Sequence, residues 1–399
     1  MPTDLCVLAY SGGLDTSALI PYLRETRDVD VVAALVDVGR AKDLESLRQR
    51  ALDAGAVDAV VIDAKDEFVR DFVLPALAAN ALYEEKYPLV SALSRPLISK
   101  KMVQVAQERG ASFIAHGCTA KGNDQVRFDV SIRCLDPGIT VLGPAREWNM
   151  TRPQLLDYVA ARGIELSLTK KNPFSIDENV WGRTIECGEL EDPWVAPPEE
   201  AFTVTVDPRR APDEGVEIIV TFDKGVPVAL DGVGMEPSAL IDSIDALGGA
   251  HGFGRIDMME NRLVGIKSRE IYETPGALAL IMAHKEVEDL VLTRDLLHFK
   301  RGVEQRLADM IYDGQWFSPL ADSLRAFVSH TQARVTGDAR LLFYKGSCSV
   351  RGRRSPYSLY VEELATYGEG DRFSHESAKG FIELWGLPLE VWARREKSA

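Results

Sequence analysis

Short apolar segments alternate with helical segments through the first half of the chain, and this alternation constrains the fold more than any other feature. Strands are predicted at 5–9, 29–36, 59–62, 113–115 and 140–142. Helices are predicted at 14–24, at 44–54, across 67–109 with breaks near Pro88 and Pro96, and after Thr151. Strands that are apolar throughout and separated by helices are typical of a parallel sheet covered on both faces. We therefore predict a doubly wound α/β domain.

A different pattern begins near residue 171 and predicts a second domain of the α+β class. The acidic, proline-containing stretch 186–200 is typical of a linker or a long loop. The further predictions are a hairpin at 216–230, strands at 255–260, 262–267, 341–344 and 347–350, and helices at 277–310 and 320–335. Apolar residues within 374–395 need a partner surface, either the body of the chain or a neighbouring subunit. We predict domains at 1–168, 169–365 and 366–399.

Composition limits the classes of function. Hydrophobic residues make up 46% and charged residues 27%, as in an ordinary globular protein, which excludes disordered and collagenous chains. The net charge of −15 disfavours binding along a nucleic-acid backbone, which requires clustered Lys and Arg. No run approaches the roughly 18 apolar residues of a membrane span, and the first residues lack the basic segment of a signal peptide. We expect a cytoplasmic protein without a nucleic-acid or membrane partner.

The five cysteines form no CxxC pair, and no Cys/His group has the spacing of a zinc site. Reduced thiols that mostly pack in the interior are therefore expected.

A glycine-containing loop, Ser11-Gly-Gly-Leu-Asp-Thr-Ser17, separates the first predicted strand from the first helix. Two glycines allow the backbone to turn sharply and to bring N–H groups close to an anion. The following helix adds unpaired N–H groups and the positive end of its dipole. The loop lacks the Gly-Lys-Ser/Thr of a Walker loop and the GxGxxG of a dinucleotide fold. A phosphate site is predicted here.

A second polar block, Ala115-His-Gly-Cys-Thr-Ala-Lys-Gly-Asn-Asp-Gln-Val-Arg127, follows the fourth predicted strand. We interpret it as a loop whose side chains bind ligand. Its hydroxyl, amide and carboxyl groups are suited to the carboxylate and ammonium of an amino acid, and Arg127 to a bidentate contact with a carboxylate. Its place after a parallel strand favours this interpretation over a solvated turn.

These strings resemble a known family. The glycine loop is similar to the pyrophosphate-binding loop of the N-type ATP pyrophosphatases, which split ATP between the α and β phosphates. With the second block, the chain resembles the argininosuccinate synthase family within that group. Further matches are Tyr87-Pro-Leu, Arg95-Pro-Leu-Ile, Asn172-Pro-Phe-Ser-Ile-Asp-Glu-Asn179, Glu260-Asn-Arg-Leu-Val-Gly-Ile-Lys267 and Tyr272-Glu-Thr-Pro275.

The resemblance implies a fold and a reaction. The fold is a nucleotide-binding sheet of the adenine nucleotide alpha hydrolase type, a synthetase domain and a C-terminal oligomerisation tail. The reaction is the ligation of L-citrulline and L-aspartate, through citrullyl-AMP, with ATP going to AMP and pyrophosphate. It further implies a homotetramer. A triphosphate bound at this glycine-containing loop is expected to bind together with Mg²⁺. The resemblance identifies no metal ligands.

Residue roles carried over from the resemblance fall into four sets. ATP contacts are expected from Ala9, Tyr10, Ser11, Gly12, Gly13, Leu14, Asp15, Thr16, Ser17, Val36 and Gly117. Citrulline contacts are expected from Tyr87, Asn123, Arg127, Ser175, Thr184, Glu260 and Tyr272. Aspartate contacts are expected from Thr119, Asn123 and Asp124. Asp15 and Asp124 are the candidate catalytic residues.

The chain also departs from the family pattern. Gly39-Arg40-Ala41 stands where Gly-Gln-Gly is usual, Ala120 replaces a glycine, and Thr184 replaces a serine. If the first two departures fall at positions of positive φ, they strain the backbone. These departures keep open a nucleotide-binding regulatory protein without turnover, beside a second alternative, another ATP pyrophosphatase that amidates or that thiolates tRNA.

Overall fold

The computed structural model describes residues 4–40, 43–148, 150–164 and 174–398. The chain divides into two compact units, Met1–Tyr357 and Ser358–Ala399. Within the described residues, no helix is long and apolar enough to cross a lipid bilayer. The five cysteines all lie in the described ranges, and each is a free thiol.

The first part of the larger unit is the predicted parallel sheet. Its strands are β1 (Asp4–Ala9), β2 (Val29–Asp37), β3 (Asp58–Asp63), β4 (Phe113–Ala115) and β5 (Thr140–Leu142), arranged in the order β3-β2-β1-β4-β5. The central strand β1 pairs with β2 on one side and with β4 on the other. Separate apolar clusters lie against the two faces of this sheet, as expected for a sheet covered on both sides.

Helices connect these strands. They are α1 (Leu14–Arg27), α2 (Leu44–Asp53), α3 (Lys65–Phe68), α4 (Leu74–Ala78), α5 (Val90–Arg109), α6 (Asp124–Leu135) and α7 (Arg152–Ala160). A π-helical turn, Val69–Val73, joins α3 to α4. Thr151 is the N-cap of α7 as predicted, and its backbone N–H donates to the Gln154 side chain at 2.8 Å.

Two sequence predictions in this region are wrong. Helix α5 does not break at Pro96 but continues through it, because Leu93 and Leu97 are fully buried and tertiary packing outweighs the lost N–H. The second polar block is not a loop as far as Arg127, since α6 begins at Asp124. Phe128 and Ile132, four residues apart, bury one face of that helix.

The second part of the larger unit is antiparallel. One sheet has the order β11-β12-β7-β6 and contains β6 (Ser175–Asn179), β7 (Gly182–Glu186), β11 (Arg255–Asn261) and β12 (Lys267–Glu273). The other has the order β10-β9-β8-β13-β14 and contains β8 (Val216–Asp223), β9 (Val226–Leu230), β10 (Val233–Gly234), β13 (Gly337–Tyr344) and β14 (Ser347–Arg354). The helices are α8 (Pro237–Ala250), α9 (Pro275–Val291), α10 (Arg294–Tyr312) and α11 (Pro319–Thr331). An α/β domain followed by an α+β domain confirms the predicted fold class.

The strand predicted at 262–267 is misplaced. Residues 262–266 form the turn between β11 and β12, closed by the Arg262 N–H to the Ile266 carbonyl at 2.9 Å. Gly265 supplies the left-handed backbone of that turn, with φ of +88°. The apolar run that suggested a strand is half exposed here, so its hydrophobicity does not reflect burial. The shift places Tyr272 on β12, inside the sheet.

The Glu273 side chain of β12 binds the loop that precedes β8. The carboxylate is fully buried and accepts from the Arg183 guanidinium at 2.7 Å. It also accepts from the backbone N–H groups of Thr203, Val204 and Thr205 at 2.8–3.1 Å. A buried ion pair with this many donors satisfies the charge that burial would otherwise penalise.

One apolar core joins the helical stretch 64–97 to α8–α11 and the second antiparallel sheet. Phe68, Leu77 and Leu93 belong to it, together with Leu280 of α9 and Leu307 of α10. The segment that precedes α6 in sequence is therefore packed largely by residues that come much later in the chain.

The smaller unit contains α12 (Glu362–Ala365) and α13 (His375–Glu396). Large apolar residues along α13 are exposed, and they are Phe381, Ile382, Leu384, Trp385, Leu387, Leu389, Val391 and Trp392.

Candidate active site

A cavity of about 610 Å³ lies at the carboxyl ends of β1, β2 and β4 and extends to the sheet that contains β6, β7, β11 and β12. This end of a parallel sheet is where α/β folds bind ligands. The predicted site residues that line it are Ala9, Tyr10, Ser11, Gly13, Asp15, Thr16, Val36, Tyr87, Gly117, Thr119, Asn123, Asp124, Arg127, Ser175, Thr184, Glu260 and Tyr272. The predicted residues that do not line it are Gly12, Leu14 and Ser17.

The glycine loop is supported on the side away from the cavity by contacts of Gly12, Leu14 and Ser17. Gly12 has φ of +74°, a left-handed conformation that favours glycine, and a Cβ there would lie 2.4 Å from the Leu47 side chain. The Arg50 guanidinium donates to the Gly12 carbonyl at 3.1 Å. Ser17 bonds the Tyr10 hydroxyl at 3.1 Å, and Leu14 is buried in the core. The loop is thus fixed by the packing of α2 and α1.

The front of the same loop presents groups suited to an anion. Gly13 is the N-cap of α1, so the unpaired N–H groups of the first turn lie at the cavity. The Ser11 and Thr16 hydroxyls lie 3.3 Å apart. Burial raises the pKa of the Asp15 carboxyl above its usual range, and the charge of Arg152 partly offsets that rise.

The loop after β4 approaches α1 closely. A Cβ at Gly117 would lie 3.0 Å from the Thr16 side chain, which explains the glycine. His116 is buried beside this loop, and its Nε2 lies 2.7 Å from the Asp129 carboxylate. Its Nδ1 accepts from the Cys118 backbone N–H at 3.3 Å. The imidazole therefore holds the backbone of the loop in place.

Asp124 opens α6 between two arginines. Its carboxylate accepts from the Arg95 guanidinium at 2.8 and 2.9 Å and from Arg127 at 2.8 Å. Arg95 also donates to Asp177 of β6 at 2.6 Å. Burial acts to raise the pKa of Asp124, but the charges of Arg95 and Arg127 outweigh it and hold the pKa well below its usual range.

Arg127 is buried and only partly satisfied. Its Nε donates to the Tyr312 carbonyl at 2.8 Å, and its Nη1 donates to Asp124. Its Nη2 is buried without a hydrogen-bond partner among the described residues. Because a buried guanidinium N–H without an acceptor is costly, this atom indicates a missing anionic or carbonyl oxygen.

Glu260 lies buried between tyrosines. Its carboxylate accepts from the Tyr272 hydroxyl of β12 and from the Tyr312 hydroxyl, the latter at 2.5 Å. Burial raises the pKa of Glu260, while both hydroxyls lower it in part. Tyr87 stacks on Tyr272 with ring centroids 4.2 Å apart, and its hydroxyl accepts from the Ser91 N–H at 2.9 Å.

Ser175 and Thr184 come from the β6–β7 hairpin. Thr184 pairs in register with Tyr272 on one side and with Asp177 on the other. Its hydroxyl lies 3.1 Å from the Ser91 hydroxyl of α5. The methyl group that distinguishes Thr184 from serine therefore leaves its hydroxyl in the polar part of the cavity.

Two further departures from the family pattern, besides Thr184, lie in described residues. Arg40 adopts φ of +63°, lines the cavity, and pairs with the buried carboxylate of Asp245 on α8. Ala120 has no positive φ, so this alanine does not strain the backbone of the loop. Ala41 and the start of the motif at Asn172 lie outside the described residues.

Several cavity residues carry no role in the sequence analysis. They include Arg40, Ser91, Arg95, Asp177, Glu186, Arg262 and Glu270. Arg262 donates to Glu186 at 2.7 Å and to Glu270 at 2.5 Å, and burial with nearby carboxylates raises the pKa of Glu270 to about 8. Arg95, Asp177 and Arg262 stand inside the motifs that carry the family resemblance, so the sequence contained a signal for these three.

Comparison with known proteins identifies both parts of the chain. Residues 5–165 match the model described as the arginosuccinate synthase N-terminal HUP domain. Residues 174–392 match the model described as the arginosuccinate synthase C-terminal domain.

Curated relatives match the full length. The chain is 55% identical over 399 residues to the argininosuccinate synthase of Symbiobacterium thermophilum, covering 100% of both chains. It is 54% identical over 385 residues to that of Bacillus subtilis, covering 96% of this chain and 95% of the relative. It is 55% identical over 391 residues to that of Geobacillus kaustophilus, covering 98% and 96%.

Proposed function

The chain belongs to the argininosuccinate synthase family, and from this premise we propose how its cavity divides among three substrates. The enzyme is a C–N ligase that joins L-citrulline to L-aspartate in arginine biosynthesis. ATP is converted to AMP and pyrophosphate, and citrullyl-AMP is the intermediate. The continuity of one cavity from the glycine loop to Arg127 and Glu260 is the observation that carries the division.

ATP occupies the end of the cavity formed by β1, β2 and α1. The triphosphate lies against the N-terminus of α1, with the Ser11 and Thr16 hydroxyls as further donors. Val36 and Gly117 line the same end. Preorganised donors at the position of a leaving pyrophosphate stabilise the charge that develops there, by about 2.7–4 kcal/mol each in enzymes of other classes.

Mg²⁺ enters with the nucleotide in this proposal. Among the described residues, no group of three or more His, Cys, Asp or Glu side chains is arranged to hold a metal ion. A single carboxylate beside a phosphate site, as Asp15 provides, suits Mg²⁺, which is usually held by one or two carboxylates and by substrate phosphates. When bound, the ion offsets negative charge on the phosphates.

Citrulline occupies the opposite end. The Nη2 of Arg127, which has no hydrogen-bond partner in the described part of the chain, binds its α-carboxylate, and the Glu260 carboxylate attracts its ammonium group. Tyr87 and Tyr272 stack against each other and form the apolar wall for the side chain. The hydroxyls of Ser175 and Thr184 lie on the remaining side. The ureido group then points toward the nucleotide.

Aspartate binds at Thr119, Asn123 and Asp124, between the other two substrates. Asp124 serves there as a fixed negative charge and not as a proton acceptor, since Arg95 and Arg127 depress its pKa. Its ion pairs also hold the first turn of α6 against α5 and β6.

The reaction follows from this order of substrates. The ureido oxygen of citrulline attacks the α-phosphorus, the bond from that phosphorus to the bridging oxygen breaks, and pyrophosphate leaves toward the α1 N-terminus. The amine of aspartate then attacks the ureido carbon, the carbon–oxygen bond to the phosphate breaks, and AMP departs with the oxygen it received and takes up the proton that the amine releases. The neutral ureido oxygen is a weak nucleophile, so alignment supplies most of the help.

The quaternary structure in this proposal is a homotetramer in the cytoplasm. Exposed Phe381, Trp385 and Trp392 on α13 need cover, which we assign to another copy of the chain. The ATP requirement and the five free thiols support the location. Nucleic acid is not expected to bind, because Arg351 and Arg354 on β14 are paired with carboxylates.

The test is pyrophosphate release from Mg-ATP, with citrulline alone, aspartate alone and both together. We expect stoichiometric release with citrulline alone and steady turnover only with both. No release in any mixture, from protein that still binds ATP, would contradict the division of the cavity.

A further inference from the structure

We propose that Tyr312, the last residue of α10, is a positioning residue for the citrulline end of the active site. It contacts Arg127 of α6 and Glu260 of β11, which the proposed function assigns to citrulline, and Asn123 at the start of α6, which the family resemblance assigns to both citrulline and aspartate. The inference rests on that assignment. Tyr312 lies behind the cavity wall and is fully buried, so it acts through these residues and not on the substrate.

The Tyr312 hydroxyl bridges two of them. It accepts from the Asn123 side-chain amide at 2.7 Å and donates to the Glu260 carboxylate at 2.5 Å. The Asn123 amide oxygen in turn accepts from the Leu263 backbone N–H at 2.9 Å, in the turn between β11 and β12. A single hydroxyl thereby fixes the first turn of α6 relative to β11.

The backbone carbonyl and the ring of Tyr312 contact the third side chain, Arg127. Its carbonyl is at the C-terminus of α10, where carbonyls lack partners within the helix, and it accepts from Arg127 Nε. The Arg127 guanidinium also lies 4.7 Å from the centre of the Tyr312 ring. Both contacts leave Nη2 as the guanidinium nitrogen of Arg127 for which the described residues supply no partner.

Neighbouring rings fix the position of the Tyr312 ring independently of its hydroxyl. Tyr83 stacks on it with centroids 3.5 Å apart and planes 4° from parallel. Tyr87 meets it edge-on at 6.5 Å. Phenylalanine at 312 would keep this packing and the contacts to Arg127, so that the substitution removes the hydroxyl alone.

Loss of the hydroxyl would change the protonation of Glu260. The groups that face Glu260 are Tyr272 and Glu270 from β12, Tyr312 from α10, Arg127 from α6, Arg262 from the turn, and Tyr83 and Tyr87 from the segment before α5. Of these, Tyr272 and Tyr312 donate directly to the carboxylate, and each lowers its pKa. Without the Tyr312 hydroxyl the pKa of Glu260 rises, so the side chain stays protonated, and therefore neutral, up to a higher pH.

The first experiment is Tyr312→Phe, with KM measured for each substrate. Loss of a hydrogen bond to a charged group changes an equilibrium constant by about tenfold or more. We therefore expect the citrulline KM to rise by about tenfold or more, while the ATP KM changes by less than about twofold. The acid limb of kcat/KM for citrulline should move to higher pH. Tyr158→Phe is the matched control, since it also removes a hydroxyl that donates to a glutamate, Glu25, away from the cavity.

A second variant protects the test against misfolding. Replacing Tyr312 with 3-fluorotyrosine keeps the ring and strengthens the hydroxyl as a donor, so the acid limb should move to lower pH. An unchanged citrulline KM and pH profile, or an equal rise in KM for all three substrates, would overturn the inference. A wild-type protein without citrulline-dependent pyrophosphate release would instead contradict the proposed function.

Discussion

Arg127→Lys tests the assignment of the citrulline carboxylate. Lysine keeps a positive charge beside Asp124, but one ammonium group cannot serve Asp124, the Tyr312 carbonyl and a substrate carboxylate together. The atom lost is the buried Nη2, to which none of the described residues offers an acceptor. A charge-assisted hydrogen bond contributes about 1.5–3 kcal/mol, which corresponds to roughly 12- to 150-fold in affinity.

The assay is the initial rate of pyrophosphate release with citrulline varied at saturating ATP and aspartate. We expect the citrulline KM to rise by about 10- to 100-fold, with the ATP KM nearly unchanged. Arg269→Lys is the control, because Arg269 is also bound by several acceptors, Asp257 and three backbone carbonyls among them, but does not line the cavity. It should lower thermal stability and leave every KM alone.

If the citrulline KM of Arg127→Lys stays within twofold of wild type, the unpartnered guanidinium atom does not bind this substrate. If instead the ATP KM rises in parallel with that of citrulline, Arg127 maintains the cavity as a whole and the division of substrates is wrong.

Further substitutions test the loop, its carboxylate and the fold. Gly12→Ala should cost about 1–2 kcal/mol from its left-handed backbone and raise the ATP KM, whereas Gly163→Ala has similar φ in open space and should not affect it. Asp15→Ala should slow pyrophosphate release by about tenfold or more, as for one lost charged contact, without a change in melting temperature. Glu273→Gln should lower the free energy of unfolding by about 3–5 kcal/mol in urea titrations because it breaks a buried ion pair, while the half-exposed Glu199→Gln should cost less than about 1 kcal/mol.

Local sequence patterns account for most of the larger unit's secondary structure. Each strand of the parallel sheet falls where an apolar run predicts it, because such strands are buried on both faces and carry few polar residues. The errors occur where local and tertiary effects differ. Pro96 is tolerated by a buried helix, and the apolar residues after Arg262 lie in an exposed turn.

The candidate site likewise contains residues that the local sequence predicts and residues that it does not. The glycine loop is recognisable because its chemistry is contiguous in sequence, whereas Tyr312 follows no motif and reaches Asn123 across 189 residues. The pairing of Arg40 with Asp245 spans 205 residues and is equally invisible to local reasoning. Contacts of this separation depend on how two domains pack, which no local periodicity encodes.

The citrulline end of the active site depends on Tyr312 of α10, and this has a consequence for synthesis of the chain. The glycine loop and β1–β5 are complete by residue 142, but Tyr312 follows Arg127 by 185 residues. At about 5–20 residues per second, translation leaves a gap of roughly 10–40 s between the two. During that interval Phe68 and Leu77 lack the partners that later cover them in α9 and α10. The nascent chain therefore carries the nucleotide end of its active site before the amino-acid end exists, with an apolar face that stays uncovered until α9 and α10 are made.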